Sequence, residues 1–211
     1  MKWSIVIKFI LGLISLCYVG LTNAAVYQVE MIIFSHLTTS GVTQEQWPSV
    51  NPPPSFADAL PLQNSNASGY YQALGSNEFI LQREQAEFNR NGGYRTLVHA
   101  AWLQPFTGSS APTIHIFGGN NYDANGQTQY AVNGTVRVTV NRYFNAAFNL
   151  YFAVPENMLA RYDNRNYFHN TNNLVYFHLT ETRRMKSHEL NYIDYPLFGV
   201  LIKIVPIKAT T

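Results

Sequence analysis

Charge is scarce in this 211-residue chain and thiol scarcer still: 12% of the residues are Asp, Glu, Lys or Arg, and Cys17 is the single cysteine. So few charges exclude a coiled coil, and the 46% hydrophobic and 14% aromatic content excludes a disordered chain. One cysteine cannot form an intrachain disulfide, so the core must hold without one. The sequence also lacks a glycine-rich phosphate loop, a Gly-x-Ser-x-Gly elbow and a His-Glu-x-x-His zinc helix. His188-Glu189 begins such a helix, but Tyr192 stands where its second histidine would have to be. The six histidines contain no i, i+2 or i, i+4 pair, so neither a metal nor another cofactor is expected.

Long apolar runs are missing too, apart from Phe9 to Leu21 near the N-terminus. That run follows Lys2 and Lys8 and precedes Thr22-Asn23-Ala24-Ala25, the layout of a secretory signal cut after Ala24. It is short for an uncleaved anchor, the rival reading, because about 20 apolar residues are needed to span a bilayer. Cys17 follows Ile14-Ser15-Leu16 inside the run, which does not suit a lipoprotein signal. Cleavage removes Lys2 and Lys8 from fourteen cations, leaving twelve against twelve acids and a net charge of zero. The mildly basic balance of the whole chain is then no argument for nucleic acid, and residues 25–211 read as one exported domain with no stable membrane insertion. Without cysteine, that domain suits a bacterial periplasm. Its charges are uneven: three cations and seven acids from Ala25 to Val136, nine cations and five acids from Arg137 onward. The C-terminal half is the better place to meet an anion.

Along this domain Val26 to Phe34 reads as a strand with Val29, Met31 and Ile33 on one face and Glu30 on the other. Residues 35–75 carry Pro48, Pro52, Pro53, Pro54 and Pro61 and read as an extended irregular arm, pinned by Trp47 and by Phe56 to Leu62. Asn77 to Asn91 reads as the one main helix, capped by Asn77, with Phe79, Leu81, Ala86 and Phe88 on its apolar side and Gly92-Gly93 ending it. Tyr94 to Gln104 reads as a strand stopped by Pro105, and Thr113 to Phe117 as a short strand before a Gly-Gly-Asn-Asn turn. From Val136 to Val154 every even position except Arg142 is apolar, which makes one long bent strand or two strands with a common inward face. Arg142 then either points inward, needing a partner, or is turned out by a bulge. Tyr162 to Asn173 is loop-like. Leu174 to Thr180 and Glu189 to Ile193 read as an antiparallel pair around a cationic turn, and Phe198 to Val205 as the last strand. The sum is an α+β domain, mainly antiparallel β-sheet with one helix packed on it and the proline-rich arm at 35–75.

Three cations fall within the four residues Arg183-Arg184-Met185-Lys186, followed by Glu189, Tyr192 and Asp194. Such a cluster can bind carboxylate or phosphate, with arginine forking both oxygens, or can simply answer Glu181, Glu189 and Asp194 close by. Glu189 and Asp194 as a glycosidase-like pair is the weaker reading, since neighbours this close on a strand usually form ordinary ion pairs.

Arg183-Arg184-Met185-Lys186-Ser187-x-Glu189-Leu190-x-Tyr192-Ile193-Asp194-x-Pro196-x-x-Gly199-Val200-Leu201 resembles the C-terminal signature of the CsiV family of periplasmic cell-wall proteins. Three further blocks agree in order: Val29 to Phe34, Tyr94-Arg95-x-Leu97-x-His99-x-Ala101-Trp102-x-Gln104-Pro105, and Arg142-Tyr143-Phe144. Glu45-x-Trp47-Pro48 falls where the family often has Trp-Pro. The chain departs from the pattern at Asn145, Asn191 and Tyr195, where histidine is usual, and at Lys186, where arginine is usual. The resemblance implies a non-enzymatic protein that binds peptidoglycan and acts with an outer-membrane lipoprotein activator of a class A penicillin-binding protein. Alternatives are a protein-binding scaffold and, less favoured, a cell-wall hydrolase. Peptidoglycan presents stem-peptide carboxylates to Arg and Lys and amphipathic sugar faces to Trp and Tyr. The residues expected to bind it are Arg183, Arg184, Lys186, Glu189, Tyr192, Asp194, Arg142 and Trp102.

Overall fold

The computed structural model describes residues 25–37, 50–62, 70–106, 111–124, 126–159 and 174–207. The expected signal segment, Trp47-Pro48 and the loop expected at 162–173 lie outside the described residues. Among those described, ten strands form two five-stranded sheets. The first sheet has the order β3 (Gln72–Ala73), β4 (Tyr94–Phe106), β1 (Ala25–His36), β10 (Phe198–Pro206), β9 (Leu190–Tyr195). The second runs β2 (Leu60–Pro61), β5 (Thr113–Ala124), β6 (Gln127–Val140), β7 (Phe144–Pro155), β8 (Leu174–Met185). All pairings are antiparallel except β2 with β5.

The two inner faces share one core. Val29, Met31, Ile33, Val200, Ile202 and Ile204 from the first sheet pack with Val136, Val138, Ala146, Phe148 and Leu150 from the second. The domain is therefore a β-sandwich whose helical part is small, a narrower description than the α+β class expected. Of the expected arm, residues 38–49 and 63–69 lie outside the described part, and three of its described pieces belong to the sheets: the end of β1, β2 and β3.

β1 is buried on both faces from Gln28 to Ser35, not alternately as a half-exposed strand would be. Its outer face lies under helix α1 (Gln82–Asn91), where Ile32 and Phe34 pack with Leu81, Leu201 and Phe88. The Phe34 and Phe88 rings stack 4.3 Å apart. That arrangement traps Glu30, which is fully buried. Its carboxylate accepts hydrogen bonds from the backbone amides of Ile80 (2.7 Å) and Leu81 (2.7 Å) and from Gln28 Nε2 (3.0 Å), and it lies 2.8 Å from His99 Nε2. His99 Nδ1 in turn lies 2.8 Å from Gln85 Oε1 on α1, and Phe79 packs against the imidazole.

This carboxylate corrects the expected helix. Ser76–Glu78 forms a short 3-10 turn, and α1 begins only after Leu81, with no side-chain cap of its own. The first amides of a helix need acceptors. Glu30 supplies one from a neighbouring strand, where a negative charge also suits the helix dipole. Asn77 is therefore not the cap, and Ala86 faces solvent instead of the apolar side. Gly92, at φ 66°, ends α1 as expected.

The even-numbered run resolves into two strands with a common inward face: β6 and β7 pair from Val132–Phe152 to Val140–Phe144, with Asn141 to Tyr143 as the turn. Arg142 sits in that turn and is exposed. The inward-parity arginine is instead Arg183, whose partner across the ladder is the buried Ala146.

Three expected breaks move. β5 runs on through Gly118 and Gly119 to Ala124 by way of a bulge, made possible by the left-handed φ of 80° at Gly119. β4 continues past Pro105 to Phe106, in a stretch beyond β3 where a missing N–H is tolerated. Most consequentially, β8 and β9 are not a hairpin. β8 pairs with β7 and β9 with β10, so the cationic turn is an arch from one sheet to the other.

Replacing Glu30 with alanine leaves buried donors without an acceptor and should cost about 3–5 kcal/mol of folding stability in a denaturant titration. A loss below about 1 kcal/mol would show that this carboxylate does not hold the helix to the sheet.

Candidate functional site

The two outer faces of the sandwich are chemically unlike. On the first sheet α1 covers the centre, and the β9 edge carries Tyr192 and Asp194. Gly199 of β10 lies between Phe34 and Asp194 in the ladder, and Phe34 and Tyr192 stack across it at 6.0 Å. A Cβ at Gly199 would meet Phe34 Cζ at 2.6 Å. The Tyr192 hydroxyl donates to Asp194 Oδ1 at 2.5 Å, and burial first, then that hydrogen bond and the negative charge, push its pKa well above the usual phenol range. His36 Nε2 lies 3.7 Å from the same oxygen; desolvation lowers the imidazole pKa, offset in part by Asp194.

On the second sheet the outward positions are 113–117 on β5, 133–139 on β6, 145–151 on β7 and 178–184 on β8, counting alternate residues. None is Asp or Glu. Asn, Thr, His and Tyr dominate, with Arg137 and Arg184 as the cations. At the end of this face the β6–β7 turn brings Tyr143 beneath Arg184, with the guanidinium 3.8 Å from the ring centroid, and Arg142 lies 5.7 Å from the same ring. Arg184 is opposite Asn145 in the ladder. A guanidinium stacked on a ring keeps its in-plane N–H groups aimed outward, ready for a carboxylate fork.

The eight expected residues therefore do not form one site. Arg184, Arg142 and the exposed Lys186 lie in the β6–β7 turn and along Arg184–Lys186, at and just past the end of β8. Arg183 points to the other side of β8 and pairs with Glu181 at 2.9 Å, its Nε buried without a hydrogen-bond partner among the described residues. Glu189 accepts the backbone amide of Lys186 at 2.9 Å and shapes the arch, in which His188 adopts a left-handed φ of 66°. Tyr192 and Asp194 bond to one another on the first sheet. Trp102 is corrected outright as a ligand platform: its indole is fully buried and donates to Gln104, which donates to the Val138 carbonyl and so ties the two sheets together.

Tyr143 and the side chains of His115, Asn133, Asn149, Tyr151 and His178 were missing from the expected set. His115 Nε2 lies 2.7 Å from Asn133 Oδ1 and His178 Nε2 2.6 Å from Asn149 Oδ1, and Tyr151 stacks on His178 at 4.1 Å. Desolvation lowers the His178 pKa, keeping that imidazole neutral near pH 7. The readable signal was the run of Asn and Thr at odd positions between 133 and 149, free of carboxylates. Among the described residues no three His, Cys, Asp or Glu side chains gather as a metal site.

A family model described as "Peptidoglycan-binding protein, CsiV" matches residues 7–207. The chain belongs to the CsiV family. No curated protein and no solved structure matches it. Peptidoglycan binding is thus the family's function, and it points to the cell wall or periplasm as the place of action. The residues that carry the resemblance divide by place in the structure: Glu30, His99, Gln104 and Gly199 build the frame, and Arg142, Tyr143 and Arg184 lie at its surface.

Two measurements test these assignments. Gly199→Ala must displace Phe34 and Tyr192, and should cost about 1–3 kcal/mol of stability; an unchanged unfolding midpoint would remove the glycine's packing role. His36 and His178 bind protons less readily when folded than at the ordinary value of 6.5. The unfolded chain then takes up more protons as the pH drops through about 6.5, and stability declines as the pH falls from above that value toward the lowered folded-state values. Substituting glutamine for both histidines should flatten that decline, and an equally steep slope in the double variant would count against the assignment.

Proposed function

We propose that this protein is a non-catalytic periplasmic peptidoglycan-binding protein that supports cell-wall synthesis. In this reading residues 1–24 direct export and are removed, and the partner is an outer-membrane lipoprotein activator of a class A penicillin-binding protein. The observation that carries the binding claim is the Arg184 guanidinium stacked on Tyr143 beside Arg142, at the end of four strands whose outward positions named above include no Asp or Glu. Stem-peptide carboxylates are the anions of peptidoglycan, and a pre-oriented arginine recognises a carboxylate through two parallel hydrogen bonds. Lys186, two residues on, adds a third exposed cation. Arg183 and Glu189 serve this surface indirectly, through the Glu181 pairing and the turn at Lys186, whereas Tyr192 and Asp194 lie on the first sheet and are not part of it.

Sedimentation of the mature protein with purified sacculi tests the reading. Arg142→Ala combined with Arg184→Ala should weaken retention about three- to tenfold, and raised salt should weaken the wild type by screening the exposed charges. Arg83→Ala, on the exposed side of α1, should leave retention unchanged. Equal retention of the double variant and the wild type would remove the carboxylate site, and release of soluble muropeptides by the pure protein would overturn the non-catalytic assignment.

A further inference from the structure

The outer face of the second sheet, over which Phe56 packs at 5.3 Å from His115 and 6.3 Å from Tyr151, carries two copies of one device among half-buried residues. On β5 and β6, His115 lies against Asn133 Oδ1 (2.7 Å); on β8 and β7, His178 lies against Asn149 Oδ1 (2.6 Å). In each pair the asparagine carbonyl takes the imidazole N–H, which fixes the tautomer and turns the Asn Nδ2 donors and the His Nδ1 acceptor to other partners. An aromatic ring flanks each pair: Phe56 lies 5.3 Å from His115, and Tyr151 is stacked at 4.1 Å on His178. The centres of the two pairs are separated by two strand spacings, about 10 Å. None of the outward strand positions named above, from 113 on β5 to 184 on β8, is Asp or Glu.

We propose that this face is a carbohydrate platform that holds the glycan backbone of the wall polymer across the strands, with the two His–Asn pairs meeting alternate N-acetylhexosamines, one disaccharide repeat apart. The inference rests on the peptidoglycan-binding reading and extends it from peptide to sugar. The C–H face of a pyranose packs on Tyr151 as it would on any amphipathic aromatic surface. Acetamido carbonyls and ring hydroxyls take the Asn133 and Asn149 amide donors, and a hydroxyl donor is met by a histidine Nδ1. Two strand spacings, about 10 Å, match the disaccharide repeat of a 1,4-linked chain. Neutral donors and acceptors without acid groups suit an uncharged polymer chain. Arg184 lies about 13–14 Å further along the strands, four residues from Asn149 on the ladder. A stem peptide extending from a sugar on the platform is directed toward it. The glycan is held without charge and the peptide by charge.

The test is titration of the isotopically labelled mature chain with a neutral N-acetylglucosamine hexasaccharide, read by NMR. The expected result is movement of the Asn133 and Asn149 side-chain amide signals at low and high salt alike, with affinity falling about fivefold or more in Tyr151→Ala. Sedimentation with intact sacculi is run in parallel. Unmoved amide signals with normal sacculus retention would overturn the platform and leave the peptide-binding reading standing. Failure of both the sugar titration and sacculus retention would overturn both. The wild-type titration does not depend on any variant folding.

Discussion

A single carboxylate in an apolar interior organises the covered half of this molecule. A buried charge is tolerated only when every lone pair finds a donor, and Glu30 meets that demand by recruiting Gln28, His99 and the amides that start α1. The demand is reciprocal. The helix lacks a side-chain cap of its own, and the amides of Ile80 and Leu81 that lead into it find their acceptor on β1. The same contacts lay α1 over the centre of the first sheet's outer face.

Closing one face leaves the other for recognition. The second sheet has no comparable helix among the described residues, and its outer residues bond to one another in pairs: His115 with Asn133, His178 with Asn149 and Thr180, Arg184 on Tyr143. Such pairing limits the rotamers available to each side chain, so less entropy is lost when a ligand is bound. In the proposed reading, the polymer's sugar and peptide parts are met by different ends of this face. Trp102 and Gln104 contribute from inside by tying the sheets together through the Val138 carbonyl.

The parts of this arrangement governed by local pattern were legible in the sequence. The even-position periodicity after Val136 located β6 and β7 and their inward face, and Gly92 marked the end of the helix. What depends on distant partners was not. The helix starts late because its cap comes from Glu30, fifty-one residues before Leu81. The cationic turn reads as a hairpin from its composition, but composition does not say which sheet the next strand joins. Trp102 reads as a platform because an aromatic on a strand has no local sign of which way it faces. The candidate site was half visible: the arginines stood out as charges, whereas the His–Asn pairs join residues eighteen and twenty-nine apart and exist only once the ladder is formed.

The β1–β10 ladder sets Tyr27 opposite Pro206 and Ser35 opposite Phe198. The opening strand of the domain and its closing strand are central neighbours in the same sheet. Contacts of such high sequence separation make folding slow, because the loop entropy is lost before the pairing is gained. A chain whose last residues have not yet emerged has β1 with one unpaired side and no floor for the core. β1 therefore completes its pairing only once β10 is present.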